Sequence, residues 1–450
     1  MRCRRETNRH LGDWIAVVLF LVTSFLPLTV RGTLMAACFE RGVFCDDMID
    51  APALTPSASP TFPPLNVVYN AQLPDPFTMY NGFKIATQSQ WQTRRAELKE
   101  AFLYYMYGHM PPSSPVSVFS IDPDVLMGPM IKRTVHLKTG PGGALPFSIN
   151  LYIPAGGGGP FPVLLGSDLS WSPLADNWQP GSGENASIGV ANLQTLVSRG
   201  YIMAEFGRDD FSLDYADDGG AAVFNSGVYP LYPGYDWGNV AAWAWGFSRV
   251  VDYLEALSYV DTTKIAIAGH SRGAKSAMLA AAFDGRIALV GANQPGMMGS
   301  TPERMAIPGG ESIDTVLASL SGWFCPNLKM FAGGYVNDLP FDQHELIGLI
   351  APRAYLGTIA LQWNSWEGNV PTAEAHIAGQ QIYTALGVPN NAGLFVGNTD
   401  HQMSYTYWKA IVDFADEVFY GKTPSPYYDF NSVPISGLTT PYSWSTPTLK

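Results

Sequence analysis

A serine flanked by two glycines stands where a short apolar run gives way to a polar turn. The segment Gly269-His270-Ser271-Arg272-Gly273 follows the run KIAIA at 264–268 and precedes an alanine-rich stretch with helical periodicity. A sharp turn between a buried strand and a helix needs small residues on both sides of a strained serine. Such a turn exposes the hydroxyl and aims the following helix N-terminus at a developing oxyanion. The pattern predicts that Ser271 is a nucleophile; an inert serine in a Gly-rich turn is the alternative.

A serine nucleophile needs a general base, and three of the seven histidines follow it in the chain, His344, His376 and His401. His376 lies within a helical pattern and His344 opens another, so we expect packing or structural roles for both. His401 follows the apolar run GLFV and a polar loop, where the base belongs in the chain order serine, acid, histidine. The order of the residues therefore predicts His401 as the general base.

Strand and helix patterns alternate through the middle of the chain and must position these groups. Uninterrupted apolar runs are typical of buried parallel strands, and they occur at 161–167, 201–207, 264–269 and 353–361. Helical patterns separate these runs. The segments at 133–140 and 147–154 alternate apolar with polar residues, as half-buried antiparallel strands do. This succession predicts an α/β-hydrolase fold, a three-layer αβα sandwich with a mostly parallel central sheet.

Composition and charge restrict the possible partners. The 450 residues are 47% hydrophobic and 14% charged, with a formal net charge of −12. Because nucleic-acid binding depends on neutralising phosphates, we expect no nucleic-acid partner. The histidines and cysteines lack metal-ligand spacing, and no Gly-rich phosphate loop follows the first parallel strand, so we expect neither a metal nor a cofactor. We expect the protein to be a monomer.

The chain is expected to divide into four segments. Residues 1–37 combine a basic start, an apolar run at 14–30 and small residues near 34–38, which predicts a signal peptide or an N-terminal anchor. Residues 38–65 are rich in Pro and Ser and are predicted to be a linker or arm. The catalytic domain is expected at 66–421, followed by an irregular tail at 422–450. We therefore expect secretion, with no membrane contact beyond a possible anchor, and a possible disulfide between Cys38 and Cys45.

Collinear blocks over 73–421 resemble the glucuronoyl esterases, carbohydrate esterase family 15. The similar blocks include LPDPF at 73–77, GHSRGAK at 269–275, PFDQHELIGLIAPR at 340–353 and TAEAHIAGQQIYTALGVPNN at 372–391. The resemblance implies a secreted serine carboxylic-ester hydrolase with an acyl-enzyme intermediate. Its substrate would be the ester between 4-O-methyl-glucuronic acid on xylan and the alcohols of lignin.

The resemblance also suggests roles near the serine. Arg272 corresponds to the family arginine that supports the oxyanion, and Lys275 to the lysine that contacts sugar hydroxyls. Solvated charges at a helix start are the alternative, but the helix dipole disfavours cations there. Trp366 matches a tryptophan of the sugar site, since a flat apolar face suits a pyranose ring; an ordinary core tryptophan is the alternative.

The acid of the triad departs from the family pattern. Gln294 stands at the position of the fungal glutamate, and Trp363 or Asn364 stands where many bacterial members carry an aspartate. Ser312 and Leu320 replace a glutamine and a glutamate of the fungal sugar site. Neither the triad acid nor the sugar specificity can therefore be carried over by position.

Three interpretations of the acid remain open. Glu367 follows a late strand and precedes His401, which is the required order, so it is our first candidate. Asp400 or Glu311 could substitute, and Glu311 could instead contact the sugar. With no acid, the protein would be a weak or inactive relative that binds carbohydrate, because loss of the acid costs on the order of 10⁴ in turnover. An esterase for a different acyl group is a further alternative, which Arg272 and Lys275 disfavour.

Overall fold

A computed structural model describes residues 69–167, 189–214, 221–423 and 429–450. The predicted signal or anchor, the linker, Cys38 and Cys45 lie outside the described residues. Within the described part, the strands form a single sheet of ten. They are β1 (Ser117–Ile121), β2 (Val125–Met127), β3 (Met130–Thr139), β4 (Leu145–Pro154), β5 (Phe161–Gly166), β6 (Ile202–Phe206), β7 (Val260–His270), β8 (Leu289–Asn293), β9 (Ala354–Ala360) and β10 (Ala392–Gly397).

The sheet combines an antiparallel edge with a parallel centre. The strand order is β1-β3-β4-β6-β5-β7-β8-β9-β10, with β2 paired to β3. The strands β1 to β4 pair antiparallel, and β4 joins β6 in the same sense. From β6 through β5, β7, β8 and β9 to β10 every pairing is parallel. The predicted mostly parallel sheet is confirmed, and the carboxyl ends of its central strands share one edge.

Helices cover both faces of the sheet. They are α1 (Gln88–Phe102), α2 (Val190–Val197), α3 (Ala221–Phe224), α4 (Asn239–Glu255), α5 (Arg272–Phe283), α6 (Ile313–Ser319), α7 (Gln343–Ile350), α8 (Asn364–Glu367), α9 (Asn369–Ala385) and α10 (Tyr405–Tyr420). Along the described chain, none of these helices is long and apolar enough to cross a bilayer.

The side chains of the parallel strands divide between two apolar cores. In β7, Ile265 and Ile267 pack with α4 and α5, whereas Ala266 and Ala268 pack with α2 and α10 on the opposite face. Successive residues of a strand point to opposite faces, so a strand buried on both sides is apolar throughout. This confirms the predicted three-layer αβα sandwich of the α/β-hydrolase type.

Two parts of the sheet carried no apolar run in the sequence. The strand β7 begins at Val260, four residues before its predicted start at Lys264. The sequence gave no sign of this first part because residues 261–264 are polar and partly or fully exposed. All five residues of β1 are exposed, so this strand has no buried face and its sequence shows no alternation of apolar and polar residues. Periodicity detects buried strands best because burial imposes it.

The C-terminal residues contain no helix or strand within 429–450, yet they pack on the domain. The Leu449 N–H donates to the carbonyl of Ala385 (3.3 Å) and the Lys450 N–H to the carbonyl of Ala86 (3.2 Å). The Trp444 ring stacks on His344 with 5.5 Å between the centroids. This segment therefore covers part of the surface of the predicted 66–421 domain.

Candidate active site

The turn at Gly269–Gly273, here called the elbow, joins β7 directly to α5. Ser271 has φ 54° and ψ −123°, a backbone conformation that L-residues rarely adopt. A Cβ atom on Gly269 would lie 2.2 Å from the carbonyl oxygen of Gly273, so no larger residue fits at position 269. The Ser271 N–H donates to the carbonyl of Asn293 at the end of β8 (2.9 Å). Local sterics thus hold the serine between the strand and the first turn of α5.

A cleft lies over the elbow at the carboxyl edge of the sheet. Its volume is about 590 Å³, which includes space open to solvent. It is lined by Ser271, Arg272, Lys275, Gln294, Pro295, Gly296, Glu311, Leu320, Trp323, Trp363, Trp366, Glu367 and His401. The cleft brings together every residue that the sequence selected for the site, apart from Asp400.

His401 and Glu367 are in direct contact. The Nδ1 atom of His401 lies 2.8 Å from Oε1 of Glu367. Glu367 ends α8, just after β9, and it is 2% exposed. Burial raises the pKa of this carboxyl, and the neighbouring imidazole acts in the opposite direction. Asp400, the acid next to His401 in the chain, is exposed and lines no part of the cleft.

Two aromatic rings flank the His401 imidazole. Trp363 stacks on it with 5.5 Å between ring centroids and 15° between planes. The centroid of the His270 ring lies 4.4 Å from that of His401, with 43° between the ring planes. Burial, and then the proximity of His401, holds the pKa of His270 well below its usual value, so this second imidazole is neutral. At the sequence level, Trp363 occupies one of the two positions where the family's aspartate is missing. In the structure its indole stacks on the His401 ring.

Arg272 is held by a loop residue that the sequence did not single out. Its Nη1 donates to Oδ2 of Asp214 (2.9 Å), and Arg208 donates to the same oxygen (2.8 Å). The Trp323 indole N–H donates to Oδ1 of Asp214 (3.1 Å), and the Arg272 guanidinium lies 4.9 Å above the Trp323 ring. Asp214 and Trp323 therefore fix the guanidinium beside the serine. Asp214 stands in no motif, and Trp323 lies in a block that resembles the family, GWFCPN at 322–327, to which the sequence assigned no role.

Lys275 and Glu311 form a buried pair one helical turn beyond the serine. The Lys275 ammonium is 3.0 Å from Oε2 of Glu311, and it also donates to the carbonyls of Pro295 (2.7 Å) and Met297. Its side chain is 2% exposed, and these acceptors match the three donors of an ammonium group. The contact of Lys275 with a sugar hydroxyl thus stays a prediction, which requires one of these bonds to be exchanged.

Trp366 stands at the rim of the cleft with 44% of its surface exposed. It therefore differs from the fully buried tryptophans of the two cores and can meet a ligand. Leu320 and Trp323 line the cleft as well. The sequence marked Leu320 only as a departure from the fungal pattern, and it assigned no role to Trp323.

Comparisons with known proteins agree with this arrangement. The family model for fungal glucuronyl esterases matches residues 138–387, which include Ser271 and Glu367. A 4-O-methyl-glucuronoyl methylesterase of Podospora anserina is 29% identical over 366 residues, covering 79% of this chain and 69% of the relative. A carbohydrate esterase of an unknown prokaryotic organism is 28% identical over 391 residues, covering 76% and 89%.

Solved structures give the same result. A carbohydrate esterase family 15 glucuronoyl esterase of Caldicellulosiruptor kristjansonii superposes with a TM-score of 0.69 at 26% identity, covering 83% of this chain and 97% of that one. A serine-to-alanine mutant of the Sporotrichum thermophile glucuronoyl esterase, in complex with methyl 4-O-methyl-β-D-glucopyranuronate, superposes at 0.61 with 27% identity, covering 80% and 90%.

The fold, the elbow and these relatives together define a serine esterase, a carboxylic-ester hydrolase with the α/β-hydrolase fold. The matched family model spans more than half of the chain. The chain belongs to the glucuronoyl esterases of carbohydrate esterase family 15.

Proposed function

We propose that this esterase cleaves the ester between 4-O-methyl-glucuronic acid on xylan and an alcohol group of lignin, with Ser271, His401 and Glu367 as its triad. The observation that carries the proposal is the 2.8 Å contact between His401 Nδ1 and Glu367 Oε1 in the cleft that contains the elbow. The names of the relatives and the ligand of the Sporotrichum complex support the uronoyl ester as substrate.

In the first half of the reaction, Ser271 Oγ attacks the uronoyl carbonyl carbon while the free ring nitrogen of His401 accepts the hydroxyl proton. The carbonyl oxygen becomes an oxyanion, which the Arg272 guanidinium and the start of α5 stabilise. The C–O bond to the alcohol then breaks, and the alcohol oxygen takes the proton from His401. The products are the free alcohol and a uronoyl ester on Ser271.

In the second half, water replaces the alcohol. His401 takes a proton from the water as it attacks the acyl carbon, and then returns a proton to Ser271 Oγ as the uronic acid leaves. Glu367 keeps the Nδ1 proton in place throughout and balances the positive charge that appears on the imidazole in each half. Because Glu367 is buried and contacts the ring directly, water screens this interaction little.

Two of the earlier alternatives receive no support from these contacts. Glu311 pairs with Lys275 rather than with His401. A non-catalytic carbohydrate-binding protein was the alternative for a chain with no acid beside His401, and here Glu367 contacts His401.

Turnover of a methyl glucuronate ester tests the proposal. Ser271→Ala should reduce kcat by on the order of 10⁶, as loss of a serine nucleophile does. Ser276→Ala is the matched control, because Ser276 lies in the same helix and its hydroxyl donates to the carbonyl of Gly273 (2.8 Å) inside the protein; its kcat should stay close to that of the wild type. Equal background rates from the wild type and Ser271→Ala would overturn the proposal.

We also propose secretion, with residues 1–37 as an export signal and 66–421 as the catalytic domain. The support is the basic start and the apolar run at 14–30. N-terminal sequencing of the protein recovered from culture medium tests this. A mature N-terminus near residues 34–38 is expected, whereas a membrane-bound product that begins at Met1 would favour the anchor.

A further inference from the structure

Gln294 makes two hydrogen bonds to the residue next to the base. Its Oε1 accepts from the backbone N–H of Gln402 (3.0 Å), and its Nε2 donates to the backbone carbonyl of Gln402 (3.3 Å). Gln294 follows β8 directly, is 1% exposed and has φ 51°. One amide side chain thus holds both polar backbone groups of the residue that follows His401.

Asn293, the last residue of β8, makes a second connection. Its Nδ2 donates to the same Gln402 carbonyl (2.9 Å) and to Nδ1 of His270 (2.8 Å), the residue before the nucleophile. Its Oδ1 accepts from the Thr358 hydroxyl of β9 (2.6 Å). The end of β8 therefore links the elbow on one side to the loop of the base on the other.

We propose that Asn293 and Gln294, the amide clamp, set the position of the His401 loop relative to Ser271, and that this requires an amide at position 294. The inference rests on the proposed function, because it assigns a positioning role within that triad. An amide donates and accepts at once, so it satisfies the Gln402 N–H and carbonyl together. A carboxylate in its place can accept from the Gln402 N–H, but its second oxygen cannot donate to the Gln402 carbonyl oxygen. These two oxygens both carry negative charge and repel each other.

The clamp gives a physical reason for the departure from the fungal pattern. With Glu367 on the Nδ1 side of His401, a second carboxylate at position 294 is not needed to balance the imidazolium. The side chain at 294 can then act on the backbone of the loop instead. Gln294 is thus a positioning residue that acts through Gln402.

Gln294→Met tests the clamp, because methionine has a similar length and forms neither hydrogen bond. We expect kcat to fall about tenfold or more, as small displacements of a catalytic group do, with KM changed less than about twofold. Gln343→Met is the matched control: Gln343 is an equally buried glutamine, and its amide faces Glu303 and Met106 rather than the base. Its kcat should equal that of the wild type.

Hydrogen exchange provides a readout that does not depend on activity. In the wild type the Gln402 amide should be protected, and a peptide covering 398–404 should exchange faster in Gln294→Met but not in Gln343→Met. Unchanged exchange and unchanged kcat in Gln294→Met would overturn the clamp. A wild type without turnover but with a protected Gln402 amide would instead overturn the proposed function and leave the clamp supported as structure.

Gln294→Glu sharpens the test and applies even where the methionine variant folds poorly. A protonated glutamic acid can donate to the Gln402 carbonyl and accept from its N–H, whereas the carboxylate cannot donate. The ratio of variant to wild-type kcat should therefore rise as the pH is lowered. A pH-independent ratio, or a Glu367→Gln/Gln294→Glu double variant more active than Glu367→Gln alone, would mean that position 294 is an acid site and would overturn the inference.

Discussion

Two groups of buried ionisable side chains, both within the described residues, are built differently. The cleft group consists of His401, Glu367, Lys275 and Glu311, and each of its carboxylates contacts one basic side chain, His401 for Glu367 and Lys275 for Glu311. The helix-cap group at the start of α7 consists of Arg94, Arg304, Asp342 and Glu345. Its carboxylates have several partners each.

In the helix-cap group every carboxylate oxygen has a defined donor. Asp342 accepts from the backbone N–H groups of Glu303 (2.8 Å) and Gln343 (2.9 Å), and from the Arg304 guanidinium (2.8 Å). Glu345 accepts from Arg94 (3.1 Å) and, across the capping box of α7, from the Asp342 N–H (3.3 Å). These bonds close a helix end and tie α1 to α7.

A raised pKa does not separate the two groups. Burial raises the pKa of Glu345 to about 8, and burial also raises the pKa of Glu367. The two groups differ in whether their carboxylates line the cleft and in how many fixed hydrogen-bond donors each carboxylate has. An acid with one contact, to an imidazole beside a nucleophile, can respond when that imidazole becomes charged; an acid whose oxygens are all bonded to fixed donors serves the fold. Perturbed titration alone is a weak guide to function.

Between the two groups, the largest expected difference comes from replacing a glutamate by glutamine in each. Glu367→Gln should reduce kcat by on the order of 10³–10⁴, because the amide cannot balance the imidazolium. Glu345→Gln, the same change in the helix-cap group, should leave kcat within about twofold of the wild type. Steady-state kinetics on a methyl glucuronate ester measures both. Equal losses in the two variants would mean that the comparison does not distinguish catalysis from structure.

A smaller effect is expected from Asp342→Ala, and it should appear in stability. The change leaves the buried Arg304 guanidinium without its partner and removes the N-cap of α7, which costs about 3–5 kcal/mol of unfolding free energy. Urea denaturation measures this loss. Turnover per folded molecule should be unchanged, since Asp342 does not line the cleft. A variant with normal stability and reduced kcat would contradict the assignment of this group to the fold.

The sequence was sufficient for the features that depend on short-range constraints. The elbow could be predicted because Gly269 and Gly273 meet within one turn of chain, and the parallel strands because burial on both faces makes them apolar throughout. The order along the chain pointed from Ser271 to His401 and made Glu367 the first candidate for the acid, and the cleft brings the three together. Their mutual distances were beyond any pattern in the sequence.

The remaining features depend on contacts between distant residues without a local signature. The Asp214 carboxylate holds Arg272 across 58 residues, from a loop that shows no periodicity. Gln294 reaches Gln402 across 108 residues, and at the sequence level it stands out only as a missing acid. Neutral side chains that act on a backbone leave no charge pattern, so only the fold assigns them a role.

The smallest expected effects concern two tryptophans that line the cleft, the exposed Trp366 and the partly buried Trp363. Trp366→Ala removes a flat surface whose stacking is worth about 0.5–1.5 kcal/mol, so KM should rise about two- to twelvefold, at 1.4 kcal/mol per factor of ten, while kcat stays constant. Trp363→Ala should instead lower kcat, because Trp363 stacks on the His401 ring. Tyr335→Ala is the control, since Tyr335 is a 62% exposed aromatic residue outside the cleft lining. A fall in kcat at constant KM for Trp366→Ala would mean that Trp366 supports the function of His401 rather than the binding of the sugar. Residues at the rim of the cleft would then contribute to catalysis as well.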